Sequence, residues 1–156
     1  MTRRRREIVV LVSCVKSKQT QSAIARELYT SALFRGMRRY AEARADRWYI
    51  LSAQHGLLDP LQVIEPYELT LKGMSRANRL AWAHRVAAII QNTIPAGARL
   101  VVLAGSAYIV DLKPLLTNRY EVNLPMSGLG LGQRLAWLRQ ANENPPSRPR
   151  GNRPRG

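Results

Sequence analysis

Cysteine, histidine, phenylalanine and acidic side chains are all scarce in this chain. A single cysteine, Cys14, in 156 residues rules out an intramolecular disulfide and a multi-cysteine zinc knuckle. The two histidines, His55 and His84, stand far apart in sequence, so no metal site is expected and no cofactor is called for. No apolar run approaches the roughly 18 residues of a membrane span. The apolar run behind the arginine-rich start, Ile8-Val9-Val10-Leu11-Val12, is too short for the core and cleavage site of a signal peptide. These absences describe a cytoplasmic protein with no membrane partner.

The shortage of acid is the most telling. Ten acidic residues against 25 basic ones leave a formal charge of +15. Arg3, Arg4, Arg5 and Arg6 at one end and Arg148, Arg150, Arg153 and Arg155 at the other carry part of it. Setting those eight aside leaves 17 basic residues against 10 acidic, so the body of the chain is cationic in its own right. A polyanion is the partner such a body attracts, and nucleic acid is the commonest one. DNA, single- or double-stranded, and a nucleoid-associated location are therefore expected, with the chain acting as a monomer.

The length suits one domain. Residues 1–6 form a basic tail, residues 7–141 the folded domain, and residues 142–156 a Pro/Arg/Gly tail with almost nothing to bury, read as disordered. β-Branched and apolar runs at 7–13, 48–52, 99–104 and 120–124 read as buried strands. Helical spacing of apolar residues fills 22–45, with a break at Tyr29-Thr30-Ser31, then 75–92, a short helix reaching Leu112, and 133–140. Strands alternating with helices specify an α/β fold. It is a three-layer domain whose mostly parallel central sheet of about four to five strands is flanked by helices.

In such sheets ligands gather at the carboxyl ends of the strands, and that is where the polar residues lie. Ser13, Cys14, Lys16 and Lys18 follow the first strand; backbone N–H groups and lysines there suit a phosphate. Residues 52–71 follow the second and read as a long, functional loop. It holds Gln54, His55, Asp59, Tyr67 and Glu68, stiffened by Pro60 and Pro66. His55 has the chemistry to donate to a leaving group or to take a proton. Ser106 follows the third strand, either lining the same edge or capping its helix. Asn123 and Gln133 flank a glycine-studded loop, 127–132, and have paired donors and acceptors for a base edge. His84, mid-helix, reads as structural.

Three segments carry a resemblance. Ser52-Ala53-Gln54-His55-Gly56-Leu57-Leu58-Asp59-Pro60, continued by Ile64-Glu65-Pro66-Tyr67-Glu68-Leu69, resembles the central motif of the YaaA peroxide-stress superfamily. Ser13-Cys14-Val15-Lys16 is similar to its Ser-Pro-Ala-Lys step, and Val102-Leu103-Ala104-Gly105-Ser106-Ala107-Tyr108 to its Asn-Leu-Ala-Ser-Asn-Glu-Tyr segment. The likeness spans residues 8–140 and is nearest to a compact branch with histidine where larger members carry tyrosine. It implies DNA binding and a role near base damage. The chain departs from larger members in its shorter length, in Cys14, and in Asp59 and Glu68 where arginines usually stand.

Together these readings describe a DNA glycosylase for a damaged or modified base, such as uracil or 5-hydroxymethyluracil. Such an enzyme must grip phosphates, extrude a nucleotide and cleave its N-glycosidic bond. Lys16, Lys18 and Arg3–Arg6 would hold the backbone. Ser13, Cys14, Gln54, Ser106 and Asn123 would bind the nucleotide, with Tyr67 or Tyr29 as a stacking face. His55 would stabilise the leaving base, Asp59 or Glu68 would orient water, and Lys16 is an alternative nucleophile. A DNA-binding protein without chemistry and an enzyme of free nucleotides are the two rivals.

Overall fold

The structure is a computed structural model and describes residues 6–14 and 18–144. Arg3, Arg4, Arg5, Lys16 and the tail arginines from Arg148 onward lie outside the described residues. The first apolar run forms strand β1 (Ile8–Ser13), five of whose six residues are buried, as a strand covered on both faces requires. The chain continues through β2 (Ala23–Ile24), the single helical turn α1 (Ala25–Leu28) and helix α2 (Ala32–Arg44). Ser31 makes the break before α2: its Oγ accepts the Phe34 N–H at 3.1 Å and so satisfies one of the donors a helix start leaves open.

Strand β3 (Arg47–Ser52) is followed by β4 (Gly56–Leu58) and β5 (Val63–Ile64). Residues 52–71 are thus not the open loop expected from the sequence. Gly56, at φ +73°, turns the chain sharply enough for β4 to pair antiparallel with β3. A 3₁₀ turn at Leu71–Gly73 leads into α3 (Arg76–Thr93), then β6 (Arg99–Leu103), α4 (Ser106–Leu116), β7 (Glu121–Asn123) and α5 (Leu131–Glu143). Two helices run further than expected. α4 continues past Leu112 through Pro114, and α5 takes in Asn142 and Glu143, residues assigned from the sequence to the tail.

The main sheet has the order β4-β3-β1-β6-β7, parallel except for β4, and β2 and β5 form a small antiparallel ribbon. This is the α/β architecture read from the sequence. The alternation of β1 shows how two layers of core arise. Val9 and Leu11 face the buried residues of α3 and α4, whereas Val10 and Val12 face those of α1, α2 and α5. From β1 the chain passes to β3 on one side and later to β6 on the other, so the strand order reverses between β1 and β6. A crevice opens at such a point, on the carboxyl side.

Three acidic residues, Glu7, Asp46 and Glu121, are engaged at the opposite, amino edge. Glu7 takes two hydrogen bonds from Arg47, at 2.8 and 2.9 Å. Asp46 accepts the Ile8 N–H at 2.8 Å. Glu121 pairs with Arg99 at 3.0 Å and with Arg6. Among the described residues no helix is long and apolar enough to cross a membrane.

Candidate functional site

At the carboxyl ends of β1 and β6 lies a cleft of about 510 Å³. Cys14 contributes from the end of β1 and Gly105, Ser106 and Tyr108 from the start of α4. Thr70 and Lys72 enter from beside the 3₁₀ turn, Lys18 from the segment after β1, and Arg134 from α5. Three of these residues are cations and none of the lining residues is acidic. The positive field is reinforced by the backbone. Gly105 stands at the N-cap of α4, where no side chain caps the helix, so its first N–H groups point outward with the positive end of the helix dipole. None of α2, α3, α4 or α5 has an acidic residue in its first turn, though acids normally favour that position.

Arg134 is held where it opposes that dipole. Its Nε donates to the Leu129 carbonyl at 2.9 Å, and its Nη1 would lie 3.9 Å from a Cβ placed on Gly105. A cation beside the positive end of a helix is unfavourable by itself and becomes favourable when an anion sits between them. Across the cleft the Cys14 sulfur lies 3.0 Å from the Tyr108 hydroxyl. Burial pushes the Tyr108 hydroxyl above the usual tyrosine range, and the neighbouring Cys14 sulfur adds to the effect.

The wall behind the cleft is a buried chain of hydroxyls. Tyr29 and Tyr67 meet through their hydroxyls at 2.5 Å, and Tyr67 also meets Ser52 Oγ at 2.7 Å. Ser52 in turn accepts the His55 N–H at 3.0 Å, while its carbonyl accepts the Trp82 indole N–H at 2.9 Å. Burial raises both tyrosines above their ordinary range. The stacking faces assigned to Tyr29 and Tyr67 are accordingly not offered to a ligand base. The two rings are 2% and 6% exposed, and Lys18 Nζ lies over the Tyr67 ring at 4.6 Å.

His55 and Gln54 occupy a different place. They line a second cavity, of about 580 Å³, with Ser22 and residues 62–66. The His55 ring meets Tyr67 edge to face at 5.3 Å. Its Nε2 is shielded from solvent and has no hydrogen-bond partner among the described residues, a state that costs about 1–3 kcal/mol for a polar atom. The structure thus divides the expected single site. Cys14, Lys18 and Ser106 converge on the cleft, Gln54 and His55 turn to the other cavity, and Ser13 is buried at the end of β1 and lines neither.

Three further residues join neither cavity. Asp59 is exposed, and its Oδ1 accepts the Leu61 N–H at 2.8 Å, a local turn contact. Glu68 is exposed in the same segment. Asn123 lies on the edge strand β7 and donates to Glu121 Oε2 at 3.3 Å, so its amide serves a carboxylate of this chain. Ser106 is the first residue of α4, not its cap. His84 is exposed on α3.

Sequence reasoning missed Thr70, Lys72 and Arg134. The last two were marked only by basic residues standing close to helix starts without acids, a signal that acquires meaning once those starts share one edge.

A family model described as a family of unknown function, DUF6884, matches residues 9–140. The chain belongs to that family. No curated protein and no solved structure matches it. The matched span takes in every element from β1 to most of α5, and with them both cavities.

Proposed function

We propose that this protein binds DNA and takes a backbone phosphate in the cleft between β1 and β6. The observation that carries the reading is the lining itself: Lys18, Lys72 and Arg134 around an uncapped helix start, with no carboxylate among them. Phosphate is the ligand that satisfies both the backbone donors and the cations. The resemblance to the peroxide-stress superfamily stands with this proposal, because its three segments meet in space. Cys14 of the first touches Tyr108 of the third, and Leu69 of the central one lines the same cleft as both. Within this reading, removal of a base would fall to His55, the one expected catalytic residue among those described that lines a cavity. Asp59 and Glu68 line neither, so binding is the part of the reading the geometry supports best.

The test is the anisotropy of a labelled thymidine oligonucleotide, single-stranded and as a duplex with its complement, across a salt series. Affinity should fall steeply with salt, with a slope near −0.7 per neutralised phosphate for a single strand and −0.9 for a duplex. Lys72→Gln with Arg134→Gln should weaken binding and reduce the slope by roughly one to two. Salt-insensitive binding, unmoved by the pair, would overturn the reading. A mononucleotide that competes as well as the oligonucleotide would move it to a free-nucleotide enzyme. Release of uracil, 5-hydroxymethyluracil, hypoxanthine or 8-oxoguanine from oligonucleotides, lost in His55→Ala, would add the chemistry.

A further inference from the structure

We infer that the His55 cavity is a recognition pocket for a heterocycle bearing an exocyclic amine, of the cytosine or adenine type. The inference rests on the proposed nucleic-acid reading and names the base that reading leaves open; it favours an aminated base over the uracil type expected from the sequence.

Its chemistry is opposite to that of the cleft. Among the described residues the cavity is lined by Ser22, Gln54, His55, Gln62 and Glu65, together with Val63, Ile64 and Pro66, and by no lysine or arginine. A phosphate would meet a carboxylate there and no lysine or arginine among the described residues. Two primary amides, a hydroxyl and an imidazole supply paired donors and acceptors of the kind that read a base edge, and a carboxylate is the group that accepts from an exocyclic amine. The volume, about 580 Å³, is in the range of small-molecule sites.

The pocket is also built on a rigid support. His55 stands in the β3–β4 turn beside Gly56, with its N–H tied to buried Ser52. Its ring rests on Tyr67, whose own hydroxyl is locked by Ser52 and Tyr29. A turn fixed this way holds the imidazole beside the cavity, so little freedom is lost when a ligand arrives. The His55 Nε2 lacks a partner among the described residues and is shielded from solvent, an unsatisfied state that a ligand relieves once the ring turns toward the cavity. The two cavities are close. Measured to the same Tyr67 ring centre, the His55 ring is at 5.3 Å and Lys18 Nζ at 4.6 Å, so one lining group of each cavity lies within about 10 Å of the other.

The test uses the full chain labelled with ¹⁵N-histidine, titrated with cytidine and, separately, with uridine. Cytidine should move the His55 imidazole resonances and leave those of exposed His84 in place, with an affinity about tenfold above that of uridine. Glu65→Gln, an exposed substitution that spares the core, should abolish the tenfold preference, and His55→Ala should abolish binding. An unmoved His55 signal up to the solubility of cytidine, or equal response to uridine, would overturn the inference. A chain that fails to bind the oligonucleotide yet shows the cytidine response would overturn the cleft reading alone.

Discussion

The hydroxyls of Tyr29 and Tyr67 meet at 2.5 Å inside the core, though the residues stand 38 apart in sequence. This contact ties the segment before α2 to the segment after β5, and through Ser52 it fixes the turn that carries His55. Tyr67→Phe should leave the Tyr29 hydroxyl without its partner and cost about 1–3 kcal/mol. Differential scanning calorimetry should record a lower melting temperature, by roughly 2–4 °C per kcal/mol for a chain of this size. Ser52→Ala combined with Tyr67→Phe should cost less than the two singles summed, because both remove the same contact. Strict additivity would mean that the network is not a unit.

The buried hydroxyls also set a limit at high pH. Tyr29, Tyr67 and Tyr108 all hold their protons more tightly in the fold than in the unfolded chain, chiefly because burial disfavours the phenolate. A proton held more tightly by the folded state stabilises it fully below the unfolded value, about 10 for tyrosine, and that contribution is lost as the pH climbs above it. Urea midpoints should fall from about pH 10 upward. Phenolate absorbance from these three rings should appear together with unfolding, and a rise larger than the other three tyrosines can supply while the circular dichroism stays native would overturn this expectation.

Gly56 should be sensitive out of proportion to its size. At φ +73° it adopts a backbone that side chains resist, and a Cβ there would touch Val86 at 3.4 Å. Gly56→Ala should cost about 1–2 kcal/mol from the backbone alone. It should also move the His55 imidazole resonances, since the two residues share the turn. Gly97 has a comparable angle, +89°, with open space around it, so Gly97→Ala should lower stability and leave His55 undisturbed. Denaturation and histidine spectra of both variants separate the two effects.

Cleft residues should behave in the opposite way. Lys72 is exposed, and surface substitutions of this kind stay within about 0.5 kcal/mol of the parent. Lys72→Gln should leave the melting curve in place while weakening oligonucleotide binding. A variant that loses binding only by losing its fold would show both changes together.

Ser31→Ala offers a control inside the fold. The lost cap on α2 should cost about 1 kcal/mol, with no effect on either cavity.

Much of this architecture was legible along the chain. The runs at β1, β3 and β6 are apolar because both faces of a central parallel strand are buried, so local composition alone marks them. The break before α2 was equally local, a capping serine ahead of an apolar helix. The short strand β4 was not legible. Three residues inside a polar stretch have no periodicity to read, and their pairing depends on β3 being already in place. The ends of α4 and α5 were missed for a related reason: Pro114 and the polar residues after Gln140 are weak helix signals outweighed by packing.

The site divides along the same line. From the residues themselves came the cationic body, the polar groups after each strand, and the choice of Cys14, His55 and Ser106 as candidates. Only tertiary structure could decide which of these face one another. It joined Cys14 to Tyr108 and brought Arg134 to the start of α4. It closed Tyr29 and Tyr67 into the core, and turned His55 away from the cleft into a cavity of its own. Side-chain type is a local property, whereas the direction in which a side chain points follows from strand register and helix packing across the whole chain.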